Sequence, residues 1–119
     1  MILVDTSVWV SHFRKTSSQL RSLLTEGKVL SHEFVMGELA CGSFNNRREI
    51  LALLKTLPKA VAAEHEEILQ FIDNHKIMNL GIGLIDVHLL ASSKLTKAPL
   101  WTLDKKLQKV AEKLHTAYH

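Results

Sequence analysis

Four acidic residues stand where an acid needs a reason. Asp5 closes the apolar run Ile2-Leu3-Val4, and Asp104 follows Trp101-Thr102-Leu103. Each suits the end of a buried strand, and each also suits a plain helix cap. Glu38 has Phe34, Val35, Cys41 and Gly42 three or four places away, so on a helix it falls on a stripe expected to face the interior. Asp86 repeats that pattern among Ile82, Gly83, Leu89 and Leu90, although a first-turn Asp near a positive helix end explains it too. A lone carboxylate among apolar groups is costly unless a cation or hydrogen bonds offset it. A salt bridge to a distant Arg or Lys is the structural alternative for Glu38. One arrangement serves all four acids: a pocket in which they converge on a hard divalent cation. Mg²⁺ and Mn²⁺ take oxygen ligands, and a carboxylate site without Cys or His is what they favour. Such an ion activates water, orients a phosphodiester and offsets charge on a leaving oxygen.

The elements that must position these acids follow from hydrophobic spacing. Ile2–Asp5 reads as a buried strand, and Thr6 or Ser7 opens a helix through about Arg14. Ser17-Ser18 open a second helix with Leu20, Leu23 and Leu24 on one face, ended by Gly27. Val29-Leu30-Ser31 is a weak second strand. Helices are expected over Glu33 to Gly42 and Asn45 to Leu57, the latter stopped by Pro58. Ala60–Ala63 is a short strand or the lead-in to an amphipathic helix, Glu64–His75. Gly81 and Gly83 introduce a helix from about Leu84 to Leu95. Pro99 to Leu103 is a strand delivering Asp104, Lys105–Leu114 the last helix, and Thr116–Tyr118 a final edge strand. Strands alternating with helices predict an α/β fold, a three-layer α/β/α sandwich with a mostly parallel central sheet. Ligands of such folds lie beyond the carboxyl ends of the strands, where Asp5 and Asp104 fall.

The bulk numbers narrow the class. A chain of 119 residues, 46% hydrophobic and 23% charged, fits one globular domain spanning residues 1–119. Cys41 is the only cysteine, so no intrachain disulfide is possible, which suits a reducing cytoplasm. The apolar start is broken by Asp5 and lacks a basic lead-in, so it reads as a strand and not a signal peptide. No apolar run is long enough for a bilayer, and no membrane partner is expected. A formal charge of +3 and a pI of about 9.1 are compatible with a polyanionic substrate without demonstrating one.

Four segments carry a resemblance to a known family. Asp5-Thr-Ser-Val-Trp, Gly37-Glu-Leu-Ala, Gly83-Leu-Ile-Asp86-Val-His-Leu-Leu-Ala-Ser and Leu100-Trp-Thr-Leu-Asp104-Lys-Lys-Leu resemble the PIN domain in order and spacing. The resemblance spans essentially the whole chain and is closest to the toxin ribonucleases of VapBC toxin–antitoxin pairs. It implies a Mg²⁺- or Mn²⁺-dependent endoribonuclease, a homodimer and a cognate antitoxin that blocks the site. By motif, Asp5, Glu38, Asp86 and Asp104 form the acidic quartet. Asp5 and Asp86 are then direct metal ligands, while Glu38 and Asp104 act through water or complete a second metal site. Thr102 matches the position that holds a metal-bound water, and Thr6 the polar residue after the first Asp. The stretch from roughly Asn45 to Leu80 carries little family signature.

Other residues are weaker candidates. Arg14, Arg47 and Arg48 are expected either to contact RNA phosphates or to form solvated surface charge. No pair among the seven histidines forms the His-Glu-x-x-His pattern of a zinc enzyme. His115 and His119 read as solvated tail residues, and His88 faces away from Asp86. Cys41, Trp9 and Trp101 are expected in the core, and Ser92-Ser93 at helix-packing positions. Two rival functions remain: a PIN-like module that binds a partner and cuts nothing, and a receiver-type signalling domain. The receiver lacks its usual acidic pair here, because Thr6 follows Asp5 and the mid-chain Asp73 sits in a helical pattern.

Overall fold

A computed structural model describes residues 1–119. The chain begins with β1, Ile2–Val4, whose three residues are all buried. It occupies the centre of a parallel sheet of order β2-β1-β3, with β2 at Val29–Leu30 and β3 at Leu100–Trp101. Ile2 and Leu3 stand opposite Val29 and Leu30, while Leu3 and Val4 stand opposite Leu100 and Trp101. A strand paired on both edges and covered on both faces has no solvated side, which is why β1 is apolar throughout.

Seven helices flank the sheet: α1 Thr6–Arg14, α2 Ser18–Thr25, α3 Glu33–Ala40, α4 Arg47–Thr56, α5 His65–His75, α6 Leu84–Thr96 and α7 Lys105–Lys113. The result is the expected α/β/α sandwich with a small parallel sheet. Helix α3 packs on both α1 and α4, α5 packs on α6, and α6 reaches β3. Leu3, Leu20, Leu54, Ile68, Leu89, Leu90, Leu100 and Leu107 are fully buried in one apolar core, and Trp9 joins them as expected.

Local chemistry accounts for the helix limits. The Ser17 hydroxyl accepts from the Leu20 amide at the start of α2, and Gly27 follows that helix with φ +69°. The extended Leu57 ends α4, as the residue before a proline must. Glu67 reaches back to the Glu64 amide at 2.9 Å and closes the first turn of α5.

The strands are shorter than the sequence suggests. The expected strand from Pro99 to Leu103 is reduced to two residues. The expected final strand is a single parallel bridge, Leu100 to Ala117, and the Ala60–Ala63 strand is replaced by a bridge from Ser31 to Lys59. These bridges still continue the sheet at both edges. No helix is long and apolar enough to cross a membrane.

Candidate active site

The ends of β1 and β3 lie side by side, because the Asp5 amide donates to the Trp101 carbonyl at 2.9 Å. Asp5 is 6% exposed, and its carboxylate does not cap α1, which removes the simplest structural explanation for it. Its Oδ2 instead accepts from the Ser7 hydroxyl and from the Thr102 hydroxyl, each at 2.7 Å. Each hydroxyl has one proton to give. With both protons on Asp5, the 3.3 Å approach of Ser7 to Thr102 is a contact without a shared proton. The two hydroxyl oxygens are acceptors in turn, Ser7 from the Leu103 amide and Thr102 from the Asp104 amide, each at 3.0 Å. Ser7 is thus a member of the site that the sequence reading passed over. Its only local signal is that it stands two residues after Asp5.

Asp104 is the N-cap of α7, and its Oδ1 accepts from the Lys106 and Leu107 amides at 2.9 and 3.1 Å. Asp86 lies in the first turn of α6, where its Oδ2 accepts from the Gly83 amide at 3.0 Å. Both simple readings are therefore realised, each through a single carboxylate oxygen.

Glu38 departs from expectation. It is exposed, not turned inward. The buried face of α3 is carried by Val35 and Leu39, and the helix ends at Ala40, so Cys41 and Gly42 never extend the apolar stripe. Cys41 is exposed as well, against the expected core position. Glu38 Oε1 accepts from the Thr6 hydroxyl at 2.8 Å, which ties α3 to the first residue of α1.

One pattern runs through all four acids. Each anchors one oxygen to the protein and leaves the other without a protein hydrogen bond. They also share a field. Burial raises the Asp86 carboxyl above the usual Asp value; the Gly83 amide opposes this, and the negative charges of Asp5, Asp104 and Glu38 add to it. No Lys or Arg pairs with any of the four, since the only ion pair joins Lys28 to Glu26. The salt-bridge alternative for Glu38 is thereby removed. The donor set, hard oxygens under mutual repulsion, fits a divalent cation of the Mg²⁺ type. As the side chains stand, no three His, Cys, Asp or Glu groups are placed to hold one ion.

The remaining candidates divide. Arg14 is exposed at the end of α1 and lines a cleft beside Glu38. Arg47 is turned onto the chain itself, donating to the Ala40 carbonyl at 2.6 Å and the Gly42 carbonyl at 3.2 Å. Arg48 is exposed on α4 and makes no side-chain hydrogen bond. His88 is buried behind Asp86, edge-on to Phe34, and Ser92 and Ser93 are buried in α6 as expected. Asp73, which a receiver would need in a pocket, is exposed on α5.

Acids at the carboxyl edge of a parallel sheet, between flanking helices, stand where α/β proteins bind their ligands. The chain belongs to the PIN-domain family, whose profile matches residues 2–113. It is closely related to VapC-type ribonucleases. Ribonuclease VapC32 of Mycobacterium tuberculosis, from strains CDC 1551 / Oshkosh and ATCC 25618 / H37Rv, is 39% identical over 109 residues, covering 91% of this chain and 88% of the relative.

Proposed function

We propose that this protein is a Mg²⁺- or Mn²⁺-dependent endoribonuclease that hydrolyses RNA phosphodiester bonds, and that it is the toxin of a toxin–antitoxin pair. The observation that carries the reading is the set of four acids, each with one anchored and one unbonded oxygen and none neutralised by a basic side chain. Kinship with VapC-type ribonucleases supports the choice of RNA. The homodimer, the cytoplasmic setting and the cognate antitoxin are part of the same proposal.

Asp5 and Asp86 would hold the cation directly, and Glu38 and Asp104 would support it through water or at a second position. A bound divalent ion supplies Lewis acidity, which lowers the pKa of water and offsets charge on the phosphate. The chain does the positioning. Ser7 and Thr102 fix the direction of the Asp5 carboxylate through hydroxyl donors at 2.7 Å, and Thr102 would orient water beside it. Thr6 fixes Glu38, and the backbone amides of Gly83, Lys106 and Leu107 fix Asp86 and Asp104.

The test is cleavage of RNA by protein freed of any antitoxin. Cutting should require Mg²⁺ or Mn²⁺ and stop with chelator, and Asp5→Asn and Asp86→Asn should each lower the rate at least about 100-fold. Unchanged cleavage by both variants would overturn the site assignment. No cleavage by the wild type would favour the silent binding module. Light scattering of the purified protein reads the dimer directly.

A further inference from the structure

A cleft of about 430 Å³ opens from the Thr6–Glu38 pair and runs between α1 and the turn joining α3 to α4. That volume is in the range of small-ligand sites. At the end away from Thr6 and Glu38 it is lined by Phe13, Phe44, Arg14 and Asn45. The Phe13 and Phe44 rings are stacked, with centroids 4.5 Å apart and planes inclined by 13°. Both rings are only half-buried. Arg14 is exposed and has neither an ion-pair partner nor a side-chain hydrogen bond. The turn that carries Phe44 is held by Arg47 through the Ala40 and Gly42 carbonyls, so the ring is presented from a fixed loop.

We propose that this cleft is a nucleotide subsite for single-stranded RNA, seating the nucleotide that flanks the scissile phosphate. The base stacks on the Phe13–Phe44 pair, Arg14 takes the adjoining phosphate, and the Asn45 amide meets the base edge. The inference rests on the nuclease reading for its substrate and adds where the strand lies.

Three observations favour RNA over an apolar helix of a protein partner. The cleft combines an aromatic stack with an unpaired guanidinium and an amide, the mixture that reads a base and a phosphate. It is continuous with Glu38, so one strand can occupy both places. An apolar helix filling it would bury Arg14 without a countercharge, which is costly. Stacking needs an unpaired base, so the site selects single strands over duplex.

The test is anisotropy of a fluorescein-labelled single-stranded RNA oligonucleotide in chelator at low salt, with the full chain. Wild type should bind it more tightly than the same sequence as duplex. Phe44→Ala should weaken single-strand binding about tenfold, and Phe44→Trp should restore it. Arg14→Ala should weaken binding and reduce the salt dependence by about one released ion. Circular dichroism melts confirm that each variant folds. Should Phe44→Ala misfold, Phe44→Trp and Arg14→Ala still decide the matter. Single-strand binding unchanged in Arg14→Ala and in a folded Phe44→Ala overturns the subsite. So does a loss confined to the antitoxin complex, which would assign the cleft to that protein. Because binding is read without metal, it is separate from cleavage: inactivity of the wild type sinks the nuclease reading and leaves the binding result standing.

Discussion

Ser7 shows how much of the site rests on a residue with no charge. It donates to Asp5 and accepts the Leu103 amide, so it pins the end of β1 to the segment after β3. Ser7→Ala removes both bonds and leaves the Leu103 amide to solvent. The expected result is a cleavage rate lower by about 10- to 100-fold, as for other supports of metal ligands. The cost in stability should be only about 1 kcal/mol, and metal titration with thermal melts separates the two. Asp5 and Asp104 stood out because each ends a short apolar run, and Thr102 came only from the resemblance to the PIN domain. Glu38 was reached from a mistaken premise, since two of its four neighbours on paper, Cys41 and Gly42, lie beyond the real end of α3. Ser7 could be read only as a helix opener two places after Asp5, not as a member of the site. Its role exists only once Thr102 and Leu103, some 95 positions later, fold against it.

At the scale of elements, the first turn of α7 and the loop before α6 lean on each other at Gly81. This glycine has φ +77°, and a Cβ built there would lie 3.0 Å from Lys106 Cδ and 3.1 Å from Nζ. The lysine tip can swing aside, so the cost of Gly81→Ala comes chiefly from the left-handed backbone, about 1 kcal/mol. A urea melt should show that loss, and Lys106→Ala in the same background should not restore it. The helices were largely legible because each has its apolar face and a stop: Gly27, Pro58 or the extended lead into the next element. The strands were less so. Their length is set by how far neighbours run alongside, and β3 has partners for only two residues on its β1 edge. Cys41 was misplaced for the same kind of reason: it caps α3 and does not lie on its packed face.

The whole molecule should respond to acid through three histidines. His12, His32 and His88 all have pKa values lowered from 6.5, burial being the largest cause in each. His32 is clearest: Nδ1 accepts from the Phe34 amide, so the ring's proton sits on Nε2 and faces Ser92. The Nδ1 of His12 likewise accepts from the Ser17 amide. The folded chain favours neutral rings at these positions, while the unfolded chain takes up protons below about 6.5. Stability is therefore full above that value and declines as pH falls toward the lowered folded values. Thermal melts from about pH 8 to pH 5 should show a falling midpoint. His32→Asn, which keeps a capping acceptor and carries no titrating proton, should flatten part of that slope.

The same long-range closure also bears on synthesis. Asp5 and Ser7 are made well before Thr102 and Leu103, whose contacts with them span some 95 positions of chain. A nascent chain that stops short of Leu100 has β1 with one open edge and Asp5 without its Thr102 donor. An unfinished copy still on the ribosome therefore lacks the contacts from Thr102 and Leu103 that fix Asp5 and Ser7. That edge of the sheet closes only once the segment after Leu100 has emerged.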